Sequence, residues 1–311
     1  MKYLVTGGAG FIGSNLVDFL LEKDNEIIIV DDLSSGFKEN IAHILNDKRI
    51  KFINKKVQNL GIDEIKDING IFHLGAQASV PYSIEEFYDS SKNNLDSSIK
   101  VLDFARKLKI PIVYATSSAV YGNLAVGDDI KNEFDILSPY ALDKLVLEQY
   151  AKMCFDVYKI PSIGLRFFNV YGPRQDPSNP YSGVISIFID RLLKKENIII
   201  NGGYQTRDFV YVGDIVNVLY SSMKKIEKDK IYEVLNVGTG RSVTIDRLAE
   251  ILIDLIGFKP EIKYQPLPFG DPERSGGTYE KLQKVLNLDL NNFVKLEDGL
   301  GDTINFFKGK K

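Results

Sequence analysis

The chain is poor in the residues that build cross-links and metal clusters. Of its 311 residues one is cysteine (Cys154), two are histidine and none is tryptophan. A single thiol excludes an intramolecular disulfide, and with two imidazoles it leaves no Cys/His zinc cluster. Cys154 falls within a long helical pattern and reads as a small buried hydrophobe. No apolar run approaches the ~18 residues of a membrane span. An excess of positive charge is missing too: 39 basic and 42 acidic side chains leave a net charge of −3. That balance excludes a strongly basic, phosphate-clamping surface for nucleic acid. The opening Met1-Lys2-Tyr3-Leu4-Val5-Thr6-Gly7 reads as a strand and a glycine turn rather than a signal peptide. With 44% hydrophobic and 26% charged residues the composition is that of an ordinary globular protein. The expectation is a cytosolic protein of two domains, or of one large domain with insertions, with no nucleic-acid or membrane partner.

What is present is an alternation of short apolar strands and helical patterns. Strands are predicted at Lys2–Val5, Glu26–Val30, Ile50–Ile53, Gly70–Leu74 and Ile112–Ala115, with helices at Phe11–Leu21 and about Leu95–Leu108 between them. Such alternation predicts an α/β fold, a doubly wound parallel sheet covered on both faces. Ser138-Pro139 is a strong helix start, a capping hydroxyl followed by a proline suited to the first turn. That helix is predicted to run to Tyr158 and to be followed by a strand at Ser162–Phe167. Beyond Gly172-Pro173 the pattern loosens, with Pro, Asn and Gly gathered at Asp176–Gly183. Short strands (Ile198–Ile200, Phe209–Val212, Leu235–Val237) then mix with helices (Val184–Lys194, Asp214–Lys224, Ile245–Ile256). The division is therefore a parallel-sheet domain over 1–170, the candidate dinucleotide-binding (NAD) domain if the glycine turn after its first strand binds, and a smaller, discontinuous substrate lobe over 171–311, some later segments returning to the first sheet.

Thr6-Gly7-Gly8-Ala9-Gly10-Phe11-Ile12-Gly13 lies between the first strand and the first helix. It fits G-x-x-G-x-x-G through Gly7, Gly10 and Gly13, and G-x-G-x-x-G through Gly8, Gly10 and Gly13. No Cβ blocks the tight turn, and a pyrophosphate can approach backbone N–H groups at the helix N-terminus. The strand–turn–helix setting gives the motif its weight. Asp31 ends the second strand, where a carboxylate accepts hydrogen bonds from adenosine ribose hydroxyls and repels a 2′-phosphate. NAD is thus expected rather than NADP. Asp32 is adjacent, and the sequence leaves open which of the two points inward.

Tyr140-Ala141-Leu142-Asp143-Lys144 places a phenol and an ammonium on one helix face. A cation beside the phenol favours its phenolate, which can then take a proton from a substrate hydroxyl. The spacing alone is weak evidence, since Tyr88 and Lys92 share it. Tyr140, however, opens a capped helix and follows Ala115-Thr116-Ser117-Ser118-Ala119-Val120-Tyr121-Gly122. That segment ends a buried strand, where open parallel sheets bind their ligands. His73 also ends a strand and reads as an imidazole satisfied by backbone groups.

These segments together identify a resemblance. The chain resembles the extended short-chain dehydrogenases/reductases, in particular the nucleotide-sugar epimerases and dehydratases. The motifs are residues 5–13, Phe-His-Leu-Gly-Ala-Gln-Ala at 72–78, Ser-Ser-Ala-Val-Tyr-Gly at 117–122, Ser-Pro-Tyr at 138–140 with Lys144, Arg-Phe-Phe-Asn-Val-Tyr-Gly-Pro-Arg at 166–174, and Thr-Arg-Asp-Phe-Val-Tyr-Val at 206–212. The resemblance implies a catalytic trio of Ser117, Tyr140 and Lys144. It implies a cofactor site at Gly7, Gly10, Phe11, Ile12, Gly13, Asp31, Gly75, Ala76, Gln77 and Asn94, with Tyr140 and Lys144. For the nucleotide-sugar it implies Ser79, Ser117, Asn169, Val184, Arg207, Asp271, Arg274 and Ser275, with Arg207 as a guanidinium clamp on the diphosphate. A homodimer through the helices at about 95–108 and 140–157 is implied as well.

The resemblance also discriminates. Dehydratases carry an Asp-Glu pair directly after the catalytic hydroxyl residue, and here Ser118 and Ala119 stand in its place; neither does the acid–base work of elimination. An NAD-dependent 4-epimerase is therefore expected, acting on UDP-glucose/UDP-galactose, UDP-GlcNAc/UDP-GalNAc, or both. Ser275 falls at a gate beside the sugar C2 substituent, where a small residue leaves room for an N-acetyl group. The alternatives are a UDP-glucuronate 4-epimerase or decarboxylase on the same scaffold, and a non-catalytic NAD-binding sensor. Two positions depart from the family pattern. Lys56 stands where an Asp usually lies near the adenine, and Pro268 where many epimerases have an arginine on the diphosphate.

Overall fold

A computed structural model describes residues 1–178, 183–267 and 272–309. In chain order the elements begin β1 (Lys2–Thr6), α1 (Phe11–Glu22), β2 (Glu26–Asp31), β3 (Ile50–Asn54), β4 (Gly70–His73), α2 (Val80–Glu85), α3 (Phe87–Leu108), β5 (Ile112–Ser117), α4 (Pro139–Tyr158) and β6 (Ser162–Phe167). They continue β7 (Asn169–Tyr171), α5 (Val184–Leu193), β8 (Ile198–Asn201), β9 (Thr206–Arg207), β10 (Phe209–Tyr211), α6 (Val212–Asp229) and β11 (Tyr232–Val237). The last are β12 (Val243–Thr244), α7 (Ile245–Ile256), β13 (Ile262–Gln265), β14 (Arg274–Ser275), α8 (Glu280–Leu286) and α9 (Leu296–Gly309). Two compact units result. The first comprises Met1–Val120, Ser138–Arg166 and Val216–Leu235; the second comprises Tyr121–Leu137, Phe167–Ile215 and Asn236–Lys311. Among the described residues no helix is long and apolar enough to cross a membrane.

The first unit is built on a seven-stranded sheet of order β11-β6-β5-β4-β1-β2-β3. β1 pairs in parallel with both β2 and β4, β2 with β3, and β4 with β5. Strand residues alternate between faces, and here both faces are apolar. Leu4, Ile28, Val30, Ile71 and Ile112 pack with Val101, Phe104 and Ala105 of α3 and Leu147 and Ala151 of α4. The alternate residues Tyr3, Val5, Ile27 and Ile29 are equally buried. On that face Lys224 of α6 donates to the Tyr3 hydroxyl (2.9 Å), and the Phe19 ring of α1 meets Tyr220 of α6 edge-on. The doubly wound α/β sandwich predicted from the alternating pattern is thus present. β11, longer than the predicted Leu235–Val237, is the late segment that rejoins the sheet.

Local chemistry accounts for the helix ends. The Ser138 hydroxyl accepts from the Ala141 N–H at 3.2 Å, with Pro139 in the first turn, and Lys159 closes α4 in the left-handed conformation at φ 58°. α3 begins at Phe87, well before the predicted Leu95. Its first two turns are rich in Ser and Asn, weak helix formers. Contacts to the loop after β4, from Ser90 and Asn94 to Gln77, hold them helical. β10 ends at Tyr211 and α6 begins at Val212, so Val212 is helical rather than the end of a strand.

The second unit has its own core, in which Ile185, Phe188, Ile189 and Leu192 of α5 pack with Leu248 and Leu252 of α7 and Leu300 and Ile304 of α9. Its strands form three small sheets, β10-β7, β13-β8 and β12-β9-β14. Asp208, fully buried between β9 and β10, gathers the loop after β11 and the residue before α8 around it. Its carboxylate accepts from the Thr239 N–H and hydroxyl (3.0 and 2.6 Å), the Gly240 N–H (2.8 Å) and the Tyr279 hydroxyl (2.6 Å). Asp208→Ala strands all of these donors in an apolar interior, at a cost of about 3 kcal/mol or more. Chemical denaturation of the variant should report that loss in the transition of the second unit; an unchanged midpoint would contradict the assignment.

Candidate active site

Strand order reverses between β1 and β4, the point at which open α/β sheets bind ligands beyond their strand ends. The turns after these two strands touch. A Cβ on Gly7, which sits at φ +68°, would lie 2.7 Å from the Gly75 nitrogen, and one on Gly13 would lie 2.0 Å from the Gly7 carbonyl oxygen. Only glycine permits this approach. Gly10 is the N-cap of the twelve-residue α1 and offers the first turn, Phe11 to Gly13, no side-chain acceptor. The result is a cradle of backbone N–H groups open to an outside anion, which fits a dinucleotide pyrophosphate.

Thr6 braces the cradle. Its hydroxyl oxygen accepts from the Leu74 and Gly75 N–H groups (both 3.2 Å) and lies 2.8 Å from His73 Nδ1. With its lone pairs engaged, the hydroxyl proton goes to Nδ1. His73 is therefore satisfied by a side chain, not by the backbone groups expected of it. Burial, helped by the charge of Lys144, pushes its pKa down to about 3 and keeps it neutral.

Of the two candidate carboxylates, Asp31 is the buried one. Its Oδ2 accepts from the Ala9 N–H in the glycine turn (2.9 Å) and its Oδ1 from the Leu33 N–H (2.8 Å). Burial raises its pKa, against the lowering by these bonds. Asp32 instead bonds its own neighbour Ser34. Lys56, near the expected adenine position, is exposed.

β5 and α4 bring Ser117, Tyr140 and Lys144 together. Tyr140 is buried at the first turn of α4 beside Ser117, whose Oγ accepts from the Ala119 N–H (3.1 Å). The Tyr140 N–H donates to the fully buried Ser83 hydroxyl at 3.2 Å, which pins α4 to α2. The Lys144 ammonium donates to the Ala115 carbonyl (3.0 Å) and lies 5.7 Å from the Tyr140 ring centroid. This modifies the expected electrostatics. Burial raises the Tyr140 pKa, the Ser117 hydroxyl lowers it, and the Asp143 charge raises it again. The resting side chain is thus a neutral phenol, because burial outweighs the lowering by Ser117, while the Lys144 ammonium is directed at a backbone carbonyl. Burial also pushes Lys144 down to about 8, opposed by the charges of Asp143 and Glu148.

Asn94 joins this helix to the turn after β4. Its Oδ1 accepts from the Gln77 N–H (2.8 Å), while its Nδ2 donates to the Gln77 carbonyl (3.1 Å) and to Asp143 Oδ2 (3.2 Å). Gly75, Ala76 and Gln77 are thereby held beside the glycine cradle. Ser79, expected at the substrate, is the N-cap of α2, its hydroxyl accepting from the Tyr82 N–H at 3.1 Å. The competing pair, Tyr88 and Lys92, lies on the surface of α3 with Tyr88 70% exposed.

The remaining candidates belong to the second unit. Arg207 and Ser275 face each other in register in the β9–β14 pair, with Arg274 beside them. The Arg207 guanidinium is largely buried and donates to the carbonyls of Thr206 (2.9 Å) and Pro272 (2.8 Å). Asn169 bonds the Asp208 carbonyl oxygen through its backbone N–H, and Val184 opens α5 with its side chain against the core. Asp271 and Pro268 lie outside the described residues.

Sequence reasoning passed over Thr6, Glu148 and Asp208. Arg166 was a detectable signal: a guanidinium inside the apolar strand Ser162–Phe167 requires an anion nearby. That anion is Glu148, which meets Arg166 with NH2–Oε2 at 2.6 Å and Nε–Oε1 at 2.9 Å, both side chains 2% exposed.

Residues 3–238 match the NAD dependent epimerase/dehydratase family. The chain is 39% identical to a putative UDP-glucose 4-epimerase of Methanocaldococcus jannaschii, over 98% of each. Its fold is similar to that of a UDP-N-acetylglucosamine 4-epimerase from Methanobrevibacter ruminantium in complex with UDP-N-acetylmuramic acid (TM-score 0.92, 36% identity, 100% and 99% of the two chains). It is also similar to a UDP-glucuronic acid 4-epimerase from Bacillus cereus in complex with UDP-glucuronic acid and NAD (TM-score 0.92, 27% identity, all of both chains). The glycine cradle, the inward Asp31 and the match along the chain agree: this protein belongs to the NAD-dependent epimerase/dehydratase family.

Proposed function

We propose that the chain is a UDP-sugar 4-epimerase with Ser117, Tyr140 and Lys144 as its catalytic residues. The observation that carries this reading is their convergence on β5 and α4, in the unit that holds the glycine cradle. NAD, when bound, supplies the hydride acceptor and donor for the sugar C4. The glycine turn would hold its pyrophosphate and Asp31 its adenosine ribose. Tyr140 would take the C4 hydroxyl proton and return it, and Ser117 would hold the C4 oxygen. Lys144 adds a positive charge that favours the phenolate. Ser118 and Ala119 leave no acid–base pair for elimination, which supports epimerisation over dehydration.

Asn169, Arg207, Arg274 and Ser275 are assigned to the nucleotide-sugar. The serine at 275 favours acceptance of N-acetylated as well as plain hexoses. A UDP-uronate epimerase is the second reading, favoured by the similarity to the Bacillus cereus enzyme. The exposed Phe87 and Ile99 of α3, with Leu142, Met153 and Val157 of α4, support a homodimer through these helices.

Purified protein incubated separately with UDP-GlcNAc, UDP-glucose and UDP-glucuronate, followed by proton NMR, should form the C4 epimer of the first two. Tyr140→Phe should keep NAD and lose ~10²–10⁴-fold in turnover. Epimerisation of UDP-glucuronate alone would establish the second reading, and turnover unaffected by Tyr140→Phe would remove the tyrosine from its role. Ser275→Tyr should suppress the N-acetylated substrate more than the plain one; equal losses would refute the gate. Lys144 keeps its proton only below about 8, so kcat/KM should fall as pH rises through that value, and a profile flat to about pH 10 would count against an ammonium at Lys144. The stability effect has the opposite sense. An unfolded lysine holds its proton to 10.5, so between about 8 and 10.5 the folded chain binds fewer protons and this group's contribution to stability grows with pH.

A further inference from the structure

Three consecutive residues of β5 face α4. The Ala115 carbonyl accepts from Lys144, the Thr116 hydroxyl donates to Glu148 Oε1 at 2.7 Å, and Ser117 lies beside Tyr140. On α4 the partners 140, 144 and 148 repeat every four residues and so line one face. The outer two pairs involve groups assigned to the chemistry; the middle one does not. Glu148 is one helical turn beyond Lys144, and its carboxylate is fully engaged. Oε1 accepts from Thr116 and Arg166 Nε, and Oε2 from Arg166 NH2. Arg166 stands on β6, next to β5, and the Tyr232 hydroxyl of β11 donates to the Glu148 backbone carbonyl at 3.1 Å. One residue thus meets three adjacent strands, β5 and β6 through its carboxylate and β11 through its backbone carbonyl.

A buried ion pair is a poor source of stability compared with apolar packing of similar volume. What it supplies is direction. Leucine contacts tolerate small slides and rotations of a helix over a sheet, whereas a fork held at both oxygens does not. One turn of α4 rises about 5.4 Å, so a slip of a fraction of a turn displaces the phenol and the ammonium together. We infer that Thr116, Glu148 and Arg166 form a positioning triad that sets the height and rotation of α4 on β5, and through it the placing of Tyr140 and Lys144. This inference rests on the reading that Tyr140, Lys144 and Ser117 carry out the reaction.

Thr116→Val tests it gently, since it deletes the hydroxyl, keeps the shape and leaves the Glu148–Arg166 fork in place. In the holoenzyme kcat should fall about 10- to 100-fold with KM within about twofold, because displacement of reacting groups by about 1 Å has effects of this size. The melting temperature should stay within a few degrees, and Thr116→Ser should restore most of kcat. A second readout does not need turnover. With ¹³Cζ-labelled tyrosine, the Tyr140 signal, identified by its loss in Tyr140→Phe, should change its titration midpoint in Thr116→Val and recover it in Thr116→Ser. Wild-type kcat together with an unmoved Tyr140 midpoint would overturn the triad. So would a loss of kcat that tracks the melting temperature and is not rescued by serine. If the wild-type protein turns over no UDP-sugar, the epimerase reading fails, and the Tyr140 midpoint alone decides the positioning role.

Discussion

A single ammonium group carried into the interior sets the terms for the first unit. Removing such a cation from water costs on the order of several kcal/mol unless partners replace the lost hydration. Lys144 finds one acceptor in the Ala115 carbonyl and two compensating charges in Asp143 and Glu148. Each of those needs its own support. Asp143 is held by Asn94, which also fastens the turn at Gln77, and Glu148 is held by Thr116 and Arg166. Even His73, at the end of β4, is kept neutral in part by this charge. Asp143 and Glu148, with the residues that hold them, are thus linked to one buried lysine.

The second unit solves a different problem with similar means. Its strands are two to four residues long, too short for ladders to fix their relations. Asp208 substitutes for ladder length by gathering donors from the loop after β11 and from the residue before α8. Arg207, next to it in the chain, is held by the carbonyls of Thr206 and Pro272. Asn236 plays a comparable part, bonding the Tyr121 hydroxyl and the carbonyls of Gly127 and Thr278.

Most of the sheet and the glycine cradle were legible because their signals are local. Apolar runs bounded by turns, a glycine that no other residue can replace and a Ser-Pro helix start each act within a few residues. The early start of α3 was not legible, since Ser90 and Asn94 are held helical by Gln77, a contact made only in the folded chain. The same limit applies to the electrostatics. The i, i+4 spacing put Lys144 beside Tyr140, yet it carried no information on whether the ammonium would turn to the phenol or to a carbonyl. Ser79 carries a role that its sequence position did not announce, its hydroxyl capping α2 through the Tyr82 N–H.

The setting of Ser275 has a consequence for how such a site can change. Its strand is held by backbone groups: the Ser275 carbonyl accepts from Asp208, Gly276 accepts from Gly127, and Gly127 accepts from Thr278. None of these bonds uses the side chain at 275. Gly277, two residues on, has no such freedom, because a Cβ there would come within 2.7 Å of the Phe168 ring and 2.8 Å of the Gly127 carbonyl. The backbone frame around position 275 therefore does not depend on the serine hydroxyl. On the proposed reading of Ser275 as a gate, a change of side chain there would alter the site without touching the hydrogen bonds that hold the strand.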